Sequence, residues 1–64
     1  MLAVSVIIKD DKYIDDLLNL AKEHGINYTK RKNVANGTLF VFNFKDNEKK
    51  KKDEFYNAIP VNWI

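Results

Sequence analysis

The sequence predicts a small α+β domain of the split-βαβ (ferredoxin-like) class, in the order β-α-β-β-α. Three observations predict it. A β-branched run, LAVSVIIK, opens the chain. The stretch DKYIDDLLNLAKEHG follows, with apolar residues at helical spacing and a glycine stop. Two strand-like runs then flank an Asn36-Gly37 turn signal, and a charged stretch stopped by Pro60 comes last.

Each element has its own justification. In residues 2 to 9, Leu2, Val4, Val6 and Ile8 share one face, and Ala3, Ser5 and Ile7 share the other. One face is wholly apolar and the other mostly small, which suits a central strand covered on one side. In the first helix, Ile14, Leu17, Leu18 and Ala21 form the apolar stripe. Asp10 or Asp11 is the expected N-cap, Asp15 and Asp16 suit the positive end of the helix dipole, and Lys22 and His24 the negative end. Gly25 is the expected left-handed C-cap, with Ile26 making the accompanying apolar contact.

Residues 26 to 34, INYTKRKNV, read as a more polar strand whose Lys30, Arg31 and Lys32 suit a sheet edge. Thr38–Phe44 is the third strand. Asp46 or Asn47 is the expected cap of a second helix running to Ile59, with i,i+4 pairs Glu48–Lys52, Lys49–Asp53 and Lys50–Glu54. The tail VNWI reads as a short last strand or a hydrophobic plug. The first crossover should be right-handed and bring strands one and three together at the centre of the sheet.

Phe40, Phe42 and Phe44 alternate, so they lie on one face. The turn decides which face. A two-residue turn at Asn36-Gly37 groups them with Asn33, Arg31 and Thr29, as an aromatic and basic platform. A three-residue Ala35-Asn36-Gly37 loop with a glycine bulge groups them with Val34, Tyr28 and Ile26, as core. Each buried ring contributes about 1.5–3 kcal/mol, so burial favours the second register. The outer face then carries Ile7, Leu39 and Val41, with Ala3, Ser5 and Asn43 between them and Thr29 and Arg31 at its basic edge.

Composition bounds the function. Sixty-four residues form one domain, and chains that small often add a disulfide, a metal or a partner subunit, which leaves oligomerisation or ligand binding as a source of stability. The chain has no cysteine, which excludes disulfides and thiolate metal sites. The net charge of +2 permits contact with nucleic acid or an acidic protein without requiring either. The opening apolar run is too short to span a bilayer and lacks a basic leader, so an intracellular, cytoplasmic protein is expected. Its lysine- and asparagine-rich usage fits a small protein of a virus or mobile element, and equally many host proteins.

Catalytic motifs are missing. The single histidine, His24, sits at a helix end, Ser5 has no base nearby in sequence, and no glycine-rich phosphate loop occurs. Asp10, Asp11, Asp15 and Asp16 match no calcium loop. We therefore expect no enzyme, no metal and no cofactor. RNA-recognition domains carry a third-strand motif of basic-Gly-aromatic-small-aromatic-Val-x-aromatic. Asn36–Asn43 matches it at Gly37, Phe40 and Val41, but Thr38 and Asn43 stand where aromatics would stack, so membership does not follow.

Two function classes remain. The first is a protein-interaction or regulatory module, docking on a protein partner or on itself as a homodimer. Its candidate contacts are Ile7, Arg31, Leu39, Val41 and Trp63, the last beside Ile64 as an aromatic anchor. The second is a nucleic-acid binder using Lys30, Arg31, Lys32, Lys49, Lys50, Lys51 and Lys52. One arginine among eleven basic residues ranks the second reading below the first.

Overall fold

A computed structural model describes residues 1–64. Its elements run β1 (Leu2–Ile8), α1 (Ile14–Glu23), β2 (Tyr28–Val34), β3 (Gly37–Phe44) and α2 (Lys49–Ala58), with short 3₁₀ turns at Asp11–Tyr13, Asp46–Glu48 and Val61–Trp63. The domain is α+β in the order β-α-β-β-α. The sheet is antiparallel in the order β1-β3-β2, so β3 is its centre. Strands one and three are neighbours as expected, but β1 lies at an edge. The tail is a 3₁₀ turn and supplies no fourth strand.

Asp10 caps the 3₁₀ turn that leads into α1, accepting a hydrogen bond from the Lys12 N–H at 3.1 Å, while α1 itself starts after Tyr13 without a side-chain cap. Gly25 takes φ 70°, and α1 closes with Gly25 N–H donating to the Lys22 carbonyl and Ile26 N–H to the Ala21 carbonyl. This is the Schellman pattern, and Ile26 is buried beside it. At the start of α2 the cap is neither Asp46 nor Asn47. The Glu48 carboxylate reaches back to the Lys45 N–H at 2.8 Å, and Asp46 pairs with the N-terminal ammonium. The expected i,i+4 pairs do not form; Lys51 turns to Glu48 and Lys52 to Asp53.

The core lies on one face of the sheet. Val4, Val6 and Ile8 of β1 and Phe40, Phe42 and Phe44 of β3 meet Ile14, Leu17 and Ala21 of α1 and Phe55 of α2. Phe55 is the hub, edge-on to Phe42 at 4.8 Å and to His24 at 5.6 Å between ring centres. The three phenylalanines of β3 are therefore core, with Phe40 and Phe42 at 0% exposure. They offer no platform for stacking.

The register that buries them is neither of the two expected. The turn is Ala35-Asn36, one residue earlier, with Val34 opposite Gly37. Both turn residues have negative φ, so it is not the primed turn that Asn-Gly suggested. This turn places Arg31 and Asn33 on the phenylalanine face, opposite Phe40 and Thr38. Left alone, it would also turn Tyr28 away from the core. One extra residue, Thr29, bulges out of β2 between Tyr28 and Lys30 and reverses the alternation. Tyr28 then stands opposite Phe42 and packs edge-on against Phe40. The Thr29 hydroxyl donates to the Val41 carbonyl at 3.2 Å and accepts from the Asn43 amide at 2.9 Å.

Gly37 is required by a close approach. It has φ 145°, and a Cβ there would lie 2.1 Å from the Ile8 carbonyl oxygen. Only glycine lets the end of β1 lie this tightly against the start of β3.

Candidate interaction site

Both helices pack on one side of the sheet, so the other side is uncovered. Pairing places Ile7 beside Leu39 and Lys32, Ser5 beside Val41 and Lys30, and Ala3 beside Asn43. Ile7 is 39% exposed, and Leu39 and Val41 are half-buried. These residues form a modest apolar patch with a lysine border. Arg31 is not part of it. It lies across from Phe40 on the helix side, its guanidinium 5.4 Å from that ring, where it screens the core at the sheet edge. The sequence-based placement of Arg31 on the outer face failed because the connection is the two residues Ala35-Asn36 and not the three-residue loop expected, and a one-residue change in loop length swaps the faces.

Trp63 is half-buried and stacks on Tyr13 at 5.9 Å. Its carbonyl accepts the Lys9 N–H at 3.2 Å. It therefore closes one end of the core, with Ile64 half-buried beside it. The tail is the plug of the two readings weighed from the sequence.

That Lys9–Trp63 hydrogen bond also orients β1. The Lys9 N–H points away from β3, whereas the Ile8 carbonyl points at Gly37. On the far side of β3, the Val41 carbonyl faces β2, which leaves Phe42 facing Val4. Strand alternation then fixes the rest. The backbone groups of Val4, Val6 and Ile8 face β3. Those of Ala3, Ser5 and Ile7 face outward, along an edge that no strand covers.

Two hollows run along this edge. One, of about 260 Å³, lies beside Ala3 and Ser5 under Lys52, Asp53 and Tyr56. The other, of about 350 Å³, lies beside Ser5 and Ile7, bounded by Lys9, Tyr56 and Ile64. Together they make a shallow groove between β1 and α2. A larger hollow of about 420 Å³ lies at the end of the sheet near Met1 and Lys45. Its carboxylates are already engaged, Asp46 by the N-terminal ammonium and Glu48 by the Lys45 N–H.

The lysines do not converge. Lys30 and Lys32 point to the uncovered face, while Lys49 to Lys52 belong to α2 on the opposite side. Lys49 and Lys50 are exposed; Lys51 and Lys52 are half-buried, with acidic partners. No three histidine, aspartate or glutamate side chains gather in a metal-binding group. No helix is long and apolar enough to cross a membrane. No family model, curated protein or solved structure matches the chain.

The edge of β1 was missed in the sequence. A full split-βαβ sheet places a fourth strand beside β1, which makes β1 read as central. Here Val61–Trp63 forms a 3₁₀ turn in place of that strand, a choice the letters VNWI do not reveal by themselves.

Proposed function

We propose that this chain is a small non-enzymatic interaction or regulatory module. It docks on protein through the outward edge of β1 and the uncovered sheet face beside it. One observation carries this reading: the N–H and C=O groups of Ala3, Ser5 and Ile7 face outward on a strand with no charge, proline or bulge. An edge of that kind is a template for another strand. The apolar patch of Ile7, Leu39 and Val41 continues from it and supplies side-chain contact. A photoreactive side chain at Ile7 or Leu39 should form protein adducts in cells, self-adducts included. The same group at Asn19, exposed on α1, should not. Adducts no more frequent at Ile7 and Leu39 than at Asn19 contradict the reading.

A nucleic-acid-binding reading has narrower support, in the exposed Lys30 and Lys32 beside an open sheet face. No aromatic side chain shares that face, so stacking is not offered there. Titration with single-stranded and duplex nucleic acid at two salt concentrations separates the readings. Affinity that survives near-physiological salt favours nucleic acid. Affinity that collapses with salt reflects only general phosphate attraction.

A further inference from the structure

We infer that the strand received by β1 is β1 of a second copy of this chain. The two run antiparallel about a two-fold axis through Ser5. The inference rests on the docking reading above and names its partner.

The outward groups are self-complementary. Ala3, Ser5 and Ile7 are evenly spaced about Ser5, so a two-fold axis there sets Ala3 opposite Ile7 of the copy and Ser5 opposite Ser5. Every outward N–H of these three residues then meets a carbonyl, and none is left over. The register stops where the chain stops it, because the next outward N–H, that of Lys9, is held by the Trp63 carbonyl.

The side chains agree with this pairing. Across the junction, small Ala3 lies opposite larger Ile7 on the open face, and Val4 lies opposite Val6 on the helix face. Both are favourable cross-strand pairs. The apolar patches of Ile7, Leu39 and Val41 become one surface spanning both copies. The other edge of the sheet cannot do the same: self-pairing of β2 would set Lys30, Arg31 and Lys32 against their own copies, across a bulge. The assembly is a continuous sheet in the order β2-β3-β1-β1-β3-β2.

The absence of cysteine makes the register directly testable. Single-cysteine variants Ala3→Cys, Ser5→Cys and Ile7→Cys should be prepared and oxidised, and the mass of the unmodified chain followed from micromolar to millimolar concentration. The unmodified chain should approach twice its 7.5 kDa mass. Residue 5 should crosslink on the order of tenfold faster than residue 3 or 7. Opposed Cα atoms at position 5 lie about 5.5 Å apart, within disulfide reach. Position 3 lies roughly 13 Å along the strand from its own copy, well outside that reach.

A dimer that crosslinks equally at all three positions overturns the inference. So does a chain that stays monomeric at millimolar concentration. In the monomeric case, free amide exchange at Ala3, Ser5 and Ile7 leaves the docking reading intact for another partner. Protection of those amides in the monomer removes both.

Discussion

The two edges of the sheet differ in almost every property that governs strand addition. The edge at β2 reads YTKRKNV, with three consecutive cations, every residue exposed except the half-buried Val34, and a bulge at Thr29. The edge at β1 reads LAVSVII, with no charge, no bulge and full regular pairing to β3 from Leu2 to Ile8. Charge and irregularity keep an edge from recruiting neighbours, and their absence leaves it open. The two edges share β3 and one core, so the contrast is local to the outer strands. On the docking proposal, one small sheet thereby presents a single direction for growth.

The largest expected effect separates the two sides of β1 itself. Val6→Pro removes an N–H that faces β3 and disturbs a side chain only 3% exposed, so no cooperative unfolding transition should remain. Ser5→Pro removes an outward N–H, and proline is tolerated there on an edge strand. That variant should unfold cooperatively in urea yet lose association. Equal damage from both would break the assignment of sides. Phe42→Ala acts on the strand common to both edges. It should cost about 3–5 kcal/mol in denaturant unfolding and leave neither edge functional. A near-native Phe42→Ala would mean the ring is not core.

Exchanging the character of the edges sharpens the contrast. Ile7→Lys charges the patch beside the open edge and should abolish association while changing stability by no more than about 0.5 kcal/mol. Lys30→Thr with Lys32→Val removes charge from the guarded edge. That double variant should assemble beyond a dimer, seen as heavier species by light scattering. Thr29→Val tests the lock on the bulge. Losing its two hydrogen bonds should cost about 1–3 kcal/mol, measured by thermal or urea unfolding.

The smallest effect lies away from both edges. The Glu48 carboxyl is held below its ordinary value of 4.5, chiefly by the hydrogen bond from Lys45 N–H, with Lys51 and Lys45 charges adding and desolvation opposing. A depressed carboxyl stabilises the fold above the unfolded value and loses that contribution as pH falls below 4.5. Glu48→Gln should flatten this acid-side slope in a pH series of melts and leave the edges unaffected.

Much of this was legible in the sequence, and the remainder failed for definable reasons. The first helix was secure because periodicity, Asp10 and the Gly25–Ile26 stop all agreed. Burial of the phenylalanine stripe followed from apolar area alone. The register did not follow, because Asn36-Gly37 satisfies local turn chemistry while Gly37 is needed against the Ile8 carbonyl. The turn therefore moves back by one residue, and the Thr29 bulge restores the core pattern. A bulge closed by Thr29 and Asn43 depends on residues twelve or more positions away along the chain, which local reading cannot supply. The open face at Ile7, Leu39 and Val41 was visible through alternation. The open edge was hidden because pairing partners are not encoded within the strand that lacks one.

The most direct test is residue-resolved amide hydrogen exchange along β1, in dilute and concentrated samples. In the dilute sample, Ala3, Ser5 and Ile7 should exchange rapidly, and Val4, Val6 and Ile8 slowly. In the concentrated sample all six should be protected. Uniform protection of β1 in the dilute sample would contradict the account, because the edge would then be covered within a single chain.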